Sequence, residues 1–340
     1  MSHSPGHAPT VVIPAPFNAT LGLEERLRAA GYAVIVAPPG PRDCWTADEI
    51  AEQFAAADVI IASPFQQFGA EVLRAAPNLR LISSPVIGFD HIDLETATRL
   101  GILVANCPTE EIVVGMAEST VMLMVALSLE LVRKQAALRQ GVWRTPHNSH
   151  LLRGKMIGLV GYGRIGRAVA TRLQGWEVSI QAYDPYVPGT VPLDILLQTS
   201  DVVSIHSPRT PETLGLIGAR ELALMKPTAI LINTARGGLI DEAALADAIN
   251  QDRLFAAAID AWEQEPPRMD NPLFACDPRR MIVTPHSVGH SLEIGPAGVE
   301  MVCRTINRVL EGELPESVAN PAVIARWQAR FGGAGAGARA

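Results

Sequence analysis

The stretch KMIGLVGYGRIGRAVATRLQGWEVSIQAYD, residues 155–184, decides the fold of this chain of 340 residues. An apolar run leads into Gly161-x-Gly163-x-x-Gly166, a helical pattern follows, and a second apolar run ends at Asp184. This is the order of a dinucleotide-binding unit, in which a carboxylate roughly twenty residues after the glycines binds the adenosine ribose. A carboxylate favours two free ribose hydroxyls and repels a 2′-phosphate, so the stretch predicts NAD. A glycine-rich turn used only for packing is the alternative interpretation.

Each glycine has a physical reason in such a unit. Gly161 allows a tight turn, Gly163 lets a pyrophosphate approach the backbone, and Gly166 allows the helix to pack closely on the strand. The N-terminus of the helix presents unpaired N–H groups and the positive end of its dipole to phosphates. We therefore expect the backbone of Arg164 and Ile165 to lie at the pyrophosphate.

The rest of the chain alternates short apolar runs with amphipathic segments, which predicts two open α/β domains with parallel sheets. Runs at 10–16, 32–38, 58–63, 79–85 and 102–108 form the first series, and six runs between 156 and 287 form the second. A long helix over 112–138 and a polar connection over 141–155 separate the two series. The predicted domains are 1–108 with 291–331, because the helix at 300–312 is expected to return to the first domain, and 109–290. Residues 332–340 lack side chains that can pack and are predicted to be disordered.

Charge and composition exclude several classes of protein. The formal net charge of −7 argues against a nucleic-acid surface, which needs a basic stripe. The N-terminus has no basic region followed by an apolar core, so no signal peptide is predicted. The apolar stretch 115–132 contains Glu118 and Glu130 and is interpreted as a buried helix rather than a membrane span.

The cysteines and histidines indicate no metal site. The four cysteines are scattered without a CxxC pair, which favours reduced thiols and a cytoplasmic location: Cys44, Cys107, Cys276 and Cys303. His147 and His150 have a spacing that suits a metal pair on a helix, but they lie in a predicted loop without a third ligand. No metal is therefore predicted.

Three groups with complementary chemistry leave strands of the second series. Arg236 follows one strand, Asp260 and Glu265 follow the next, and His286 follows the last. Because ligands of open α/β sheets bind beyond the carboxyl ends of the strands, we expect these side chains at one edge. A guanidinium binds a carboxylate with two parallel hydrogen bonds, and an imidazole beside a carboxylate exchanges a proton near neutral pH. These groups are the ones needed to move hydride between NAD and a 2-hydroxy acid.

The motifs GYGRIG, YDP, HSPRTPET, NTARGGLIDEAAL, DAWEQEP and TPHSVGH resemble, in this order, the D-isomer-specific 2-hydroxyacid dehydrogenases. The resemblance covers about 55–322 and implies a flavodoxin-like substrate domain and a Rossmann NAD-binding domain. It implies that Arg236 binds the substrate carboxylate, Glu265 supports His286, and His286 is the acid/base. Glu263 is the other carboxylate that could partner His286, but the family's spacing between glutamate and proline, matched here before Pro266, favours Glu265.

The resemblance also implies the remaining contacts of the cofactor and substrate. Asp260 would hold the nicotinamide carboxamide. Further cofactor contacts are implied at His206, Ser207, Thr234, Ala235 and Gly289. The substrate loop is SPVIGFDHID, where Val86, Ile87 and Gly88 contact substrate and the N–H groups of the last two face its carboxylate. A homodimer centred on the helix of 112–138 is implied as well.

The resemblance implies that the loop ASPFQQFGAEVL, residues 62–73, is the substrate-facing turn of the first domain, where members acting on phosphorylated acids carry arginine or lysine. This loop has neither residue to pair with a phosphate. Because an unpaired phosphate is costly to desolvate, we expect a small, unphosphorylated 2-oxo acid. Formate- and phosphite-type dehydrogenases and an NAD-binding corepressor-like scaffold are the alternatives, and Glu265 counts against the formate type. His290 is expected at the surface or behind the site, with a place facing the pocket as the alternative, and His206 is expected to be positional rather than catalytic. Trp143 and Trp262 are expected to pack as ordinary aromatic side chains, with a place at the border of the cleft as the alternative.

Overall fold

A computed structural model describes residues 8–14, 20–36, 47–64, 66–144 and 148–332 of the protein. The chain divides into two compact units, Met1–Ile112 with Ser291–Ala340, and Val113–His290. The predicted first boundary, after residue 108, lies slightly earlier in the chain. Of the tail predicted to be disordered, all but Gly332 lies outside the described residues.

Unit 1 contains a parallel sheet of five strands in the order β2-β1-β3-β4-β5. Its strands are β1 (Thr10–Ile13), β2 (Ala33–Val36), β3 (Val59–Ile61), β4 (Leu81–Ser83) and β5 (Leu103–Ala105). This order is that of flavodoxin-like folds, so the predicted class of the first domain is confirmed. The helices of this unit are α1 (Leu23–Ala29), α2 (Ala47–Phe54), α3 (Ala70–Ala75), α4 (Leu94–Leu100), α11 (Ile294–Leu310) and α12 (Ile324–Phe331).

The strands of unit 1 are apolar except at Thr10 and Ser83, because both faces of the sheet are covered. Alternate residues of a strand point to opposite faces, so Val11 and Ile13 pack in one cluster with α11, while Val12 packs in another. Trp327 of α12 is fully buried in the first cluster, and its indole N–H donates to the carbonyl of Arg80 at 3.0 Å.

Unit 2 contains a parallel sheet of six strands in the order β11-β10-β9-β8-β6-β7. Its strands are β6 (Met156–Val160), β7 (Ser179–Tyr183), β8 (Val202–Ile205), β9 (Ile230–Asn233), β10 (Ala256–Ile259) and β11 (Met281–Val283). The helices between them are α7 (Arg164–Arg172), α8 (Leu193–Thr199), α9 (Ala219–Leu224) and α10 (Glu242–Asn250). All six predicted strands of the second series are present in this Rossmann-type sheet.

The single helix predicted over 112–138 is wrong, because the structure contains two helices there. They are α5 (Glu110–Ser128) and α6 (Leu131–Arg139). Glu130 between them has a φ of 50°, in the left-handed region that ends a helix, and its carboxylate pairs with Arg133 at 2.7 Å. No local pattern marks this break, since Glu130 itself is a good helix former.

Helix α5 is also less buried than predicted. Leu123, Met124 and Leu127 pack in the core of unit 2, but the side of the helix that carries Met122 is exposed. By length and composition α5 could cross a membrane, although the core helix of a globular protein meets the same criteria, and 44% of its most apolar window is buried.

The strand order places the ends of β6 and β8 at a switch point in unit 2. From β6 the chain first adds β7 on one side and then returns to add β8 on the other side. The connections therefore diverge above these two strands and leave a crevice at their carboxyl ends, where ligands of such sheets bind.

Candidate active site

The turn after β6 has the shape that a dinucleotide requires. Gly161 has a φ of +94°, and a Cβ atom there would lie 2.7 Å from the N atom of Ser207. A Cβ on Gly166 would lie 2.3 Å from the carbonyl oxygen of Gly161, so α7 can approach the turn only without a side chain. Gly163 differs, because within the described residues no atom beyond its neighbours along the chain lies within 4 Å of its Cβ position. The open side of the turn is thus at Gly163, directly before the N-terminus of α7, which no side chain caps.

Asp184 lies beside this turn. One carboxylate oxygen accepts a hydrogen bond from the N–H of Tyr162 at 2.9 Å, and the other accepts from the N–H of Tyr186 at 3.0 Å. These bonds fix the carboxylate next to the glycine turn and leave lone pairs that can accept from two ribose hydroxyls. The turn and the carboxylate therefore fit the adenosine and pyrophosphate of NAD.

The loop after β8 closes the crevice from the neighbouring strand. The hydroxyl of Ser207 donates to the carbonyl of Val160 at 3.3 Å, beneath the glycine turn. Desolvation lowers the pKa of His206 to about 4, so this imidazole is neutral at neutral pH. In the described part of the chain its buried Nε2 atom has no hydrogen-bond partner.

Asn233, the last residue of β9, shapes the turn that carries Arg236. Its amide donates to the carbonyl of Arg236 at 2.8 Å and accepts from the N–H of Ala235 at 3.1 Å. The hydroxyl of Thr234 lies 3.2 Å from that of Thr120 on α5, so it is directed into the unit. The guanidinium of Arg236 donates to the carbonyl of Ala235 at 2.7 Å and is half-buried.

The turn after β9 packs directly on the turn after β10. A Cβ atom on Gly237 would lie 1.6 Å from the carbonyl oxygen of Trp262, which no side chain can tolerate. Glu242, at the start of α10, is buried and accepts from the N–H of Glu263 at 2.8 Å and from the Asn271 amide at 2.5 Å. Glycine at 237 and the carboxylate of Glu242 thus hold the two turns together.

His286 and Glu265 form a close pair at the carboxyl edge. Nδ1 of His286 lies 2.7 Å and 2.8 Å from the two carboxylate oxygens of Glu265. Because Nδ1–H donates to the carboxylate, Nε2 is the ring atom left to exchange a proton with a ligand. Both side chains are 41% exposed, which keeps the pair accessible. Glu263, the alternative partner, is exposed, and its N–H donates to Glu242.

Opposing effects act on the pKa of Glu265. Burial raises it, but hydrogen bonds from His286 and from the N–H of Trp262, with the positive charges of His286 and Arg236, outweigh burial. The pKa of Glu265 is therefore held below its ordinary value. Its carboxylate stays ionised beside the imidazole, and the guanidinium of Arg236 lies close enough to act on the same group.

Asp260 anchors the turn that carries His286. Its carboxylate accepts from the Thr284 hydroxyl at 2.6 Å and from the N–H groups of Ser287 and Val288 at 2.9 Å and 3.2 Å. His286 itself has a φ of 52°, a left-handed conformation that is uncommon for residues other than glycine. Asp260 therefore stabilises the turn that carries His286. Its predicted contact with the nicotinamide stays a prediction.

Gly289 and His290 end this turn. A Cβ on Gly289 would lie 2.2 Å from the sulfur of Met116, so this glycine lets the turn pack on α5. The hydroxyl of Ser119 on α5 also donates to the carbonyl of Val288 at 2.6 Å. His290 is exposed, as expected for a surface residue.

In unit 1 the predicted substrate turn follows β4. The carbonyls of Val86, Ile87 and Gly88 all accept hydrogen bonds within the unit, from Cys107 N–H, the Asn106 amide and the Ser84 hydroxyl at 3.0, 2.6 and 2.7 Å. In the part of the chain that the structure describes, the N–H groups of Ile87 and Gly88 have no hydrogen-bond acceptor. Both N–H groups can therefore bind an anion.

The loop after β3 is only partly available to a ligand. Gln66 and Phe68 are buried, and Phe68 packs in the core with its ring edge toward His91 at 6.0 Å between centroids. Pro64 and Gln67 are exposed. Phe65 and His147, which the sequence also singled out, lie outside the described residues.

Asn233 and Glu242 were not predicted from the sequence as residues of the site, and Trp262 was expected mainly to pack as an aromatic side chain. Trp262 does pack on Phe274 at 5.1 Å between ring centroids, but both of its N–H groups are also bonded within the site. The position of Asn233 directly before the Arg236 turn was a usable signal, since asparagine favours turns. Trp143, expected to pack, is 81% exposed instead.

Comparison with known proteins agrees with this geometry. Residues 121–288 match the family described as "D-isomer specific 2-hydroxyacid dehydrogenase, NAD binding domain". The glyoxylate reductase of Thermofilum pendens is 39% identical over 78% of this chain and 82% of its own. The D-3-phosphoglycerate dehydrogenase of Methanocaldococcus jannaschii is 37% identical over 81% of this chain, which spans 54% of that relative's length.

Among solved structures, the NAD-dependent formate dehydrogenase of Staphylococcus aureus in complex with NAD superposes with a TM-score of 0.75 at 30% identity. The match covers 88% of this chain and 95% of that one. Unit 2 is thus an NAD-binding domain, which confirms the predicted cofactor. Three findings show that the chain belongs to the D-isomer-specific 2-hydroxyacid dehydrogenase family. They are the relative matched over most of its length, the family match over residues 121–288 and the glycine turn beside Asp184.

Proposed function

We propose that the protein is an NAD-dependent oxidoreductase that reduces a small, unphosphorylated 2-oxo acid to the 2-hydroxy acid. The observation that carries this proposal is the His286–Glu265 pair at 2.7 Å, with the charge of Arg236 acting on the same carboxylate. These groups lie at the carboxyl edge of the sheet that holds the nucleotide turn. An acid, its supporting carboxylate and a carboxylate-binding cation are the groups that this reduction needs.

Each side chain has a defined task in the reduction. Arg236 binds the substrate carboxylate and polarises the adjacent carbonyl. When bound, NADH supplies the hydride that C2 of the substrate accepts. Nε2 of His286 gives its proton to the carbonyl oxygen, which becomes the hydroxyl of the product. The Glu265 carboxylate orients the ring through Nδ1 and stabilises the charged imidazolium before the transfer.

The preference for NAD over NADP is assigned to Asp184. Its carboxylate is held beside the glycine turn by Tyr162 and Tyr186 N–H groups, where a 2′-phosphate would meet its negative charge. The next residues are Pro185 and Tyr186, so no arginine follows directly to neutralise a phosphate. We expect NADH to bind at least tenfold more tightly than NADPH, because like charges in contact cost about 1.4 kcal/mol or more.

The proposed substrate class is inferred from residues 62–73 of unit 1, the substrate-facing turn that the family resemblance implies. Relatives of the chain include proteins named D-3-phosphoglycerate dehydrogenase and others named glyoxylate reductase. Residues 62–73 contain no lysine or arginine, and the described side chains near the end of β3 are neutral. A phosphate placed there would lack a counter-charge, which favours an unphosphorylated substrate such as glyoxylate or hydroxypyruvate.

The test is NADH oxidation against a panel of 2-oxo acids, phosphorylated and unphosphorylated, with Arg236→Ala as the matched variant. We expect turnover of an unphosphorylated oxo acid that falls by at least about 10²-fold in the variant, since charge-assisted bidentate contacts are strong. A preference for the phosphorylated acid would contradict the substrate assignment. No turnover of any oxo acid by protein that binds NADH would contradict the reaction class.

The assembly and location are part of the same proposal. Exposed apolar side chains gather along α5, α6 and the segment that follows: Met122, Leu129, Leu131, Leu138, Val142 and Trp143. This surface supports a homodimer, since large exposed apolar patches mark contact surfaces. The net charge of −7 and the free thiols of Cys107, Cys276 and Cys303 support a cytoplasmic protein without nucleic-acid or membrane partners. Cell fractionation tests the location.

A further inference from the structure

The Glu265–His286 pair has little packing of its own to hold it. The two residues lie on separate turns, one after β10 and one after β11, and each side chain is 41% exposed. A hydrogen bond between two exposed side chains is weak when nothing else fixes their geometry. Another group must therefore set the distance between the two turns.

Trp262 contacts both turns. Its main-chain N–H donates to Oε1 of Glu265 at 3.0 Å, and its indole N–H donates to the carbonyl of Thr284 at 2.9 Å. Thr284 lies two residues before His286, and its hydroxyl is bonded to Asp260. One residue thus holds the carboxylate of the pair and the end of the strand that leads to the imidazole.

The tryptophan is itself held firmly. It is 4% exposed, and its carbonyl is covered by the close approach of Gly237. The next peptide N–H is bonded to the buried carboxylate of Glu242. Because Trp262 is anchored in this way, its two N–H groups can hold both turns at fixed positions, which a mobile side chain could not do.

We propose that Trp262 is a positioning residue for the acid/base pair, and that its indole N–H sets the position of His286 relative to Glu265. This inference rests on the proposed reductase activity for its kinetic test. Trp262 touches neither substrate nor reacting atoms in this proposal. It acts through the turn that carries His286, as a misplacement of about 1 Å can cost roughly 10²-fold in rate.

The decisive variant carries 3-benzothienylalanine at position 262, where sulfur replaces the indole N–H and the bicyclic shape is kept. Trp262→Phe is the genetic counterpart, and Phe274→Leu is the control that removes the aromatic neighbour while keeping both N–H groups. We expect kcat to fall about tenfold in both Trp262 variants, with the Kd of NADH within about twofold. The control should keep kcat within about twofold.

A second readout is independent of turnover. The Nδ1–H proton of His286, held by a carboxylate, gives a downfield signal in the proton NMR spectrum that His286→Asn identifies by its loss. We expect this signal to shift or broaden in both Trp262 variants and to stay in Phe274→Leu. If the wild type turned over no oxo acid, the reductase proposal would fail, but this spectrum would still decide the role of Trp262.

Two results would overturn the inference. One is wild-type kcat and an unchanged His286 signal in the benzothienyl variant, because the N–H would then have no positioning task. The other is an equal loss in Phe274→Leu and Trp262→Phe with no loss in the benzothienyl variant, which would assign the effect to packing alone.

Discussion

At the scale of single residues, His286 combines an accessible side chain with a backbone conformation that few residues adopt. Its φ of 52° turns the chain so that Nδ1 meets Glu265. A left-handed residue other than glycine costs roughly 1–2 kcal/mol, which the hydrogen bonds that the N–H groups of Ser287 and Val288 donate to the Asp260 carboxylate offset. Such a cost is consistent with the acid/base role proposed for His286, in which the orientation of the side chain matters more than local stability.

His286→Asn tests the role of the imidazole without changing this backbone, because asparagine tolerates the left-handed region. We expect kcat to fall by about 10²–10⁴-fold, the usual contribution of an acid/base group, while the Kd of NADH stays within about twofold. Steady-state kinetics and NADH fluorescence titration measure both. Full activity in this variant would remove His286 from the mechanism.

Glu265→Gln tests the carboxylate through pH. Because the pKa of Glu265 is lowered in the folded protein, its stabilising contribution is present above the ordinary pKa and disappears as pH falls through the folded pKa. The variant should be less stable than wild type at pH 7, by less than about 1 kcal/mol since the side chain is partly exposed, and equally stable in acid. Urea unfolding at pH 7 and at successively lower pH checks this, because the stability gap should narrow as the pH falls through the folded pKa. A gap that does not change with pH would argue against the charge effect.

At the scale of elements, the site depends on turns that approach one another more closely than side chains allow. Gly237 lies against the carbonyl of Trp262, and Gly161 lies against the backbone of Ser207. Gly237 and Gly161 allow two parts of the protein to pack closely. Gly163 instead leaves space for a ligand, since no other described atom beyond its chain neighbours lies within 4 Å of its Cβ position. The two kinds of glycine predict different consequences of the same substitution.

Gly163→Ala should leave folding intact and weaken NADH binding, because the added methyl meets only the cofactor. We expect an unchanged Tm and at least a tenfold rise in the Kd of NADH, the effect of about 1.4 kcal/mol of crowding. Calorimetry and fluorescence titration separate the two effects. Normal binding by this variant would show that the pyrophosphate does not pass over Gly163.

Gly237→Ala should destabilise the fold, and the loss of activity should follow from that loss of stability. The methyl would lie 1.6 Å from the Trp262 carbonyl oxygen, so the turns after β9 and β10 must separate. We expect a loss of stability of about 1–3 kcal/mol, typical of overpacking, together with a loss of kcat. Thermal unfolding and kinetics measure this, and a variant that keeps both Tm and kcat would contradict the close approach.

At the scale of the whole molecule, α5, α6 and the segment that follows carry apolar side chains that are exposed in a single chain and would be covered in a homodimer. Met122 is 49% exposed and Trp143 is 81% exposed. Met122→Glu combined with Trp143→Glu should shift a homodimer toward monomer, because two charges would be buried at the contact. Sedimentation velocity measures the mass. Met269→Glu, an exposed methionine outside this surface, is the control, and a dimer that survives the double change would place the contact elsewhere.

Much of the architecture was predictable, because parallel strands covered on both faces appear as continuous apolar runs. The six runs of unit 2 became six strands, and the glycine turn and Asp184 lie side by side as their spacing indicated. The break at Glu130 was not predictable, since the break depends on how the segment after α5 packs and not on helix propensity.

The sequence by itself determined the two α/β units, the cofactor class and the residue types at the strand ends, because periodicity and glycine spacing are local properties of a chain. The family resemblance favoured Glu265 over Glu263 as the partner of His286, and tertiary structure alone decided how that carboxylate reaches the imidazole. Glu263 and Glu265 differ by two positions, and only the packing of Gly237, Trp262 and Glu242 directs Glu265 to the imidazole and Glu263 to the surface. Such contacts join turns far apart in sequence, and their distances exist only once the strand order has brought the turns to one edge.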